Sequence, residues 1–164
     1  MRHAKSSWSD PKIADFDRPP NKRGRRDAPL MGQWIATHLP APDRVVSSPA
    51  RRARETAEAV VAALRRPPAT IVWEPRLYAA SRLPLLAVIR EQPDSAGHVL
   101  LVAHNPGLTE LANTLCNDSL ENLPTAAIYS LNLPLDRWSK TCFGVGVRRA
   151  FVTPKQLQVD SQMP

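Results

Sequence analysis

A chain of 164 residues suffices for one core, and its 43% hydrophobic content excludes a compositionally disordered protein. The net charge of +7 leaves nucleic acid, an acidic protein or a phosphorylated substrate as partner classes. Nucleic acid is disfavoured, because the basic clusters Lys22-Arg23-Gly24-Arg25-Arg26 and Arg51-Arg52-Ala53-Arg54 carry no interleaved aromatics and no zinc-finger or RNP-like pattern.

Residues 1 to 20 read as loop: Ser6, Ser7, Ser9, Asp10 and Pro11 break any periodicity, and Asp17-Arg18-Pro19-Pro20 forms a turn. Asn21 is placed to cap a helix over about 22–39, with Ala28, Met31, Ile35 and Leu39 on one face and Pro29 expected to end or kink its first turns. Arg44 to Ser47 reads as a short buried strand. A helix over about 50–65 follows, with Ala53, Ala57, Val60, Val61 and Leu64 as its apolar stripe and Pro67-Pro68 as its stop.

Thr70 to Trp73 is a second strand, and Leu83 to Arg90 a short helix with Pro84 in its first turn. His98 to Ala103 is nearly continuous in apolar residues, as a strand covered on both faces should be. Pro106-Gly107 leads into a helix over about 107–115. Ala127 to Leu133 alternates like an edge or antiparallel strand, and Val145 to Val152 is a last strand. There is no internal repeat. The reading is α/β: one domain over 1–164, a three-layer α/β/α sandwich on a mostly parallel sheet.

The two cysteines, Cys116 and Cys142, match no metal-ligand spacing and imply no disulfide framework, which fits a reducing cytoplasm. No apolar h-region marks a signal peptide, and no run reaches the apolar length of a membrane span. A cytoplasmic monomer without membrane contact is expected.

Three loops carry matching chemistry: Arg2-His3, Ser48-Pro49-Ala50-Arg51-Arg52, and His104-Asn105-Pro106-Gly107. In doubly covered sheets, ligands bind beyond the carboxyl ends of the strands. The Ser48 and His104 loops each directly follow a strand, so both reach one sheet edge, where the Arg2-His3 loop can join them. Such a set suits a phosphoryl group. A neutral imidazole attacks phosphorus without first losing a proton, and guanidinium forks hold its oxygens. The helices opening near Pro49-Ala50 and Gly107 would aim amide donors at an anion. Each residue also has a plainer reading. His104 fits a buried structural histidine, and Arg51 or Arg54 could replace Arg52. His38 and His98 lack supporting context. Glu74, Asp15 and Asp17 are candidate acids for which a surface carboxylate is the better-supported reading.

Taken together, the residues resemble the histidine phosphatase superfamily, of phosphoglycerate-mutase-like fold. Within it they resemble the small phosphohistidine phosphatase group. The resemblance rests on Arg2-His3-Ala4-Lys5-Ser6-Ser7-Trp8, Asp17-Arg18-Pro19-Pro20-Asn21-Lys22-Arg23-Gly24 and Ser48-Pro49-Ala50-Arg51-Arg52-Ala53. It extends to Leu77-Tyr78-Ala79-Ala80-Ser81, Val102-Ala103-His104-Asn105-Pro106-Gly107-Leu108 and Leu123-Pro124-Thr125-Ala126-Ala127.

The resemblance implies His3 as phospho-acceptor and Arg2, Arg52 and His104 as phosphate ligands, with Asn105 at the substrate-binding edge. It selects Arg52 over its neighbours and implies no metal and no organic cofactor. The implied substrate is a phosphohistidine-bearing protein, the alternatives being a small phosphorylated substrate or a non-catalytic phosphate- or phosphoprotein-binding module. The family normally places a strand before its Arg-His. Only Met1 precedes it here, so a truncated first strand is expected. Larger relatives use a Glu after the third strand, near Glu74, which the small group often lacks. The short chain leaves little room for a lid, so an open site is expected.

Overall fold

The computed structural model describes residues 1–160; the last four positions of the domain expected over 1–164 lie outside the described residues. Helix α1 (Lys22–His38) is followed by β1 (Arg44–Ser47), α2 (Arg51–Ala63), β2 (Ile71–Trp73), α3 (Arg82–Arg90), β3 (Val99–Val102), α4 (Gly107–Cys116), β4 (Ile128–Asn132), β5 (Val147–Val152) and α5 (Pro154–Asp160). β2, β1 and β3 form a parallel sheet in that order, while β4 and β5 pair antiparallel.

Side-chain alternation along the strands builds two cores. Val45, Leu100, Val102 and Ile128 pack toward α1 and α2, with Met31, Ile35, Val60 and Val61. Val46, Leu101 and Tyr129 face the opposite way, onto α3 and α4, with Leu85, Val88, Leu108 and Leu111. A strand's period of two therefore feeds both layers of helices, which gives the α/β/α sandwich.

The N-terminal residues complete the sheet. The expected first strand is reduced to a single parallel bridge between Arg2 and Ala103. His3 N–H donates to Ala103 O (3.0 Å) and Ala103 N–H to Met1 O (3.2 Å). On the other side, Arg2 N–H donates to Ala127 O (3.1 Å) and Ala126 N–H to His3 O (3.1 Å). Residues 1 to 3 thus lie between β3 and the segment entering β4.

Three differences from the sequence expectation have physical reasons. α1 runs unbroken through Pro29. A proline removes one intrahelical bond, but Met31 and Ile35 are fully buried, and Gly32 sits so close to Val60 and Ala63 of α2 that a Cβ there would collide. Packing therefore holds the helix. The segment over 1–20 is more ordered than a loop. Ser6 bridges Pro20, and Asp15–Asp17 forms a 3-10 turn. Finally, α5 was not anticipated. Its Leu157 packs on the first core and its Gln158 side chain donates to Asp27 Oδ1 (3.0 Å).

Candidate active site

Each cage residue is aimed by the element that carries it. Arg52 is the second residue of α2, on the face it shares with buried Ala53, Thr56 and Ala57. That helical phase settles the choice among the arginines: Arg51 turns outward to Glu55 (2.8 Å), and Arg54 lies over the exposed Trp73 ring (5.2 Å). His104 follows β3 directly and is 4% exposed. His3 leaves the residual strand at 7% exposure.

The Arg2-His3-Ala4-Lys5 loop is pinned at two points. Ala4 N–H donates to Thr56 Oγ1 (2.9 Å), whose hydroxyl donates in turn to Arg52 O (2.6 Å). The Lys5 backbone rests on α1 at Gly24, where any Cβ would strike its carbonyl. Gly107 plays the same part at the start of α4, admitting the Ala80 carbonyl. A larger residue at either place would push a site loop away.

Two imidazoles and two guanidiniums meet here. The His3 and His104 rings are 4.9 Å apart at 49°. His3 Nδ1 lies 2.7 Å from Ala4 O. A carbonyl only accepts, so Nδ1 carries the hydrogen and Nε2 keeps its electron pair. Arg52 Nε points at that same Nε2 from 3.4 Å. His104 Nε2 is 2.8 Å from Ser48 Oγ. Ser48 Oγ accepts from Ala50 N–H (3.3 Å), and in the tautomer in which its own hydrogen goes to His104 Nε2, His104 Nδ1 carries the ring hydrogen. That Nδ1 is buried without a partner among the described residues.

Arg2 donates through Nη1 to Leu123 O (2.9 Å) and Asn122 Oδ1 (3.4 Å), while its buried Nε has no partner among the described residues. Asn105 lies beside it, its amide donating to Asn122 Oδ1 (2.7 Å) and to the same Leu123 carbonyl (3.1 Å).

Electrostatics favour neutral rings. Burial pushes His3 down to about 4; the Ala4 carbonyl opposes this, and the Arg52 and Arg2 charges reinforce it. Burial likewise takes His104 down to about 3, helped by His3 and Arg52. In that tautomer the buried His104 Nδ1–H stands with the guanidiniums as a donor set suited to an anion.

The candidate acids separate. Both Glu74 oxygens are held by Arg76, at 3.0 Å and 2.8 Å, and these bonds keep its carboxyl below the ordinary range. Asp17 is exposed on the 3-10 turn. Asp15 reaches the cage: Arg52 Nη2 donates to its Oδ2 (2.9 Å), Arg52 Nη1 to its backbone carbonyl, and Tyr78 O–H to the same Oδ2 (3.0 Å). Sequence reasoning named Asp15 only as a weak acid and gave Tyr78 no part. Tyr78 stands edge-on to His104 (5.5 Å) and to Phe16 (5.0 Å). Neither contact has a periodic sequence signal.

His38 stacks on Trp34 (4.8 Å) at the exposed end of α1, and His98 pairs through its backbone N–H with Asp43 (2.9 Å). Both lie outside the cage. Among the described residues, no three His, Cys, Asp or Glu side chains cluster to hold a metal, and no helix is long and apolar enough to cross a membrane.

The chain is similar to known proteins in sequence and in fold. Residues 1–78 match the histidine phosphatase superfamily (branch 1). An uncharacterised protein of Mycobacterium tuberculosis strain H37Rv is 38% identical over 135 residues, 82% of this chain and 81% of that protein. The SixA protein of Nakamurella multipartitia superposes with a TM-score of 0.81 at 25% identity, covering 94% of this chain and 93% of its own. The protein histidine phosphatase SixA complexed with tungstate gives 0.76 at 26% identity, covering 96% of each chain. With the family match over residues 1–78 and the fold shared over nearly the whole chain, the chain belongs to the histidine phosphatase superfamily, in its small SixA-like group.

Proposed function

We propose that this phosphatase hydrolyses phosphohistidine on a protein partner, through a covalent phosphohistidine intermediate at His3. The observation that carries the reading is the orientation of His3. Its Nδ1–H is tied to Ala4 O, and its Nε2 is turned toward Arg52 with the His104 ring alongside.

In the first step Nε2 of His3 forms a bond to phosphorus while the substrate's P–N bond breaks, its electron pair returning to the departing ring. The phosphoryl oxygens take donors from Arg2, Arg52 and the free His104 Nδ1–H. Arg52 already stands against His3 Nε2, and a donor positioned before the reaction stabilises developing charge most effectively. In the second step water bonds to phosphorus and the P–Nε2 bond breaks, returning its pair to His3. Burial keeps His3 neutral at pH 7, so no proton must be removed before attack.

The substrate class is supported by the absence of enclosing structure among the described residues. β2 and β3 are joined through the single short helix α3, and α4 and β4 by residues 117–127, with no inserted lid domain. An open basic site suits a side chain presented on a folded surface. The engagement of the Glu74 carboxylate by Arg76 points the same way, since an imidazole leaves phosphorus more readily than an alkoxide and needs an acid less.

The test is a comparison of kcat/KM for a phosphohistidine peptide and for aryl and alkyl phosphate monoesters. The expected outcome is preference for the phosphohistidine peptide, abolished in His3→Ala. Preference for monoesters would make the protein a small-molecule phosphomonoesterase; phosphate binding without turnover of either would make it a binding module.

A further inference from the structure

The guanidinium that should grip phosphate is occupied. Arg52 offers a fork of donors, and Asp15 takes both arms, Oδ2 on Nη2 and the backbone carbonyl on Nη1. Arg52 is buried, whereas the Asp15 side chain is 52% exposed on a 3-10 turn at the rim. A phosphoryl dianion and this carboxylate therefore compete for one cation. The dianion carries more charge, and it arrives where His3, His104 and Arg2 also meet it. Asp15 is the partner that solvent can receive, being on an exposed turn and held otherwise by Tyr78 O–H.

A displaced carboxylate stays beside the phosphorus-bearing group, because the turn itself is anchored at Ser6–Pro20. There it faces the leaving group. A phosphorylated imidazole has a second ring nitrogen. When that nitrogen is protonated, breaking the P–N bond releases a neutral ring, the pair from the bond balancing the proton already present. A protonated ring among Arg2, Arg52 and Arg18 is repelled unless a carboxylate stands with it. Asp15 is the carboxylate whose charge acts on both His3 and His104. A phosphate monoester offers neither the second nitrogen nor the proton.

We propose that Asp15 determines specificity: displaced from Arg52 by the incoming phosphoryl group, its carboxylate accepts a hydrogen bond from the protonated distal ring nitrogen of phosphohistidine. The proposal rests on the phosphohistidine reading above. The carboxylate is ionised before substrate arrives: partial burial raises its pKa, but hydrogen bonds from Tyr78 and Arg52 and the Arg18 charge outweigh this.

Asp15→Asn tests this, because the amide keeps the size and can still accept from Tyr78. On a phosphohistidine peptide, kcat/KM should fall about 10-fold, because the amide keeps the acceptor oxygen but loses the charge that strengthens the bond. On an aryl phosphate monoester kcat/KM should hold or rise, and inorganic phosphate should inhibit at lower concentration than in the wild type. That tighter inhibition also shows that the variant is folded. Equal losses on both substrates would overturn the proposal and leave Asp15 as a support for Arg52. An unchanged substrate ratio would overturn it too. If the wild type itself shows no preference for phosphohistidine, the functional reading fails first; if the preference exists and Asp15→Asn retains it, this inference alone fails.

Discussion

Arg52 Nε–H donates to His3 Nε2 (3.4 Å), the one His3 nitrogen that its bond to Ala4 leaves without a hydrogen. Cation and nucleophile come from positions 49 residues apart and meet with no third group between them. A phosphorus atom bonded to Nε2 would therefore carry its oxygens directly against the guanidinium. Arg52→Lys keeps the charge but loses the planar fork, and with it bidentate contact. Its kcat/KM should fall on the order of 100-fold, with little change in melting temperature. Steady-state kinetics beside a thermal melt checks this.

Thr56 links the nucleophile's loop to the helix that carries Arg52. Its buried hydroxyl accepts from Ala4 N–H and donates to Arg52 O. Thr56→Val leaves the buried Ala4 amide unpaired, at a cost of about 1–3 kcal/mol. It should also lower kcat about 10-fold, since a displaced nucleophile reacts poorly. Thr56→Ser keeps the hydroxyl and should restore most of both. Denaturant unfolding and single-turnover rates on the pair provide the measurement.

Much of this was legible in the sequence, for a physical reason. A strand buried on both faces must be apolar along its length, so the region around β3 was visible, and the residues at its carboxyl end were placed at the sheet edge with it. Helical periodicity exposed the inward face of α2, although the choice of Arg52 over Arg51 and Arg54 came from the family resemblance. The first strand could not be seen, because it amounts to one bridge at Arg2. Its order comes from pairing with Ala103 and Ala127, which lie far along the chain. The grip of Asp15 on Arg52 was hidden for the same reason, since a side-chain contact across 37 positions leaves no periodic trace. Pro29 misled because local propensity was outweighed by the burial of Met31 and Ile35.

The two buried rings make stability depend on pH. Both are neutral in the folded and unfolded chains at pH 7.5. Below the ordinary imidazole value of 6.5, the unfolded chain takes up protons that folded His3 and His104 refuse until about 4 and about 3. Stability should therefore be fully present above pH 6.5 and fall on acidification toward pH 4, by at most about 1.4 kcal/mol per pH unit for each ring. His104→Gln should remove its share of the slope. Urea unfolding at pH 7.5, 6.0 and 5.0, on the wild type and this variant, checks the sign and the halving.

The account turns on a phosphoryl group carried by one nitrogen of His3. The most direct measurement is rapid quenching into base, during turnover of a phosphohistidine peptide, followed by mass mapping of the enzyme's own phosphorylated residue. The account predicts a base-stable, acid-labile phosphoryl group on His3, formed and lost at the rate of turnover and absent from His3→Ala. Turnover with no phosphoryl group on the enzyme, or with one on another residue, would contradict it.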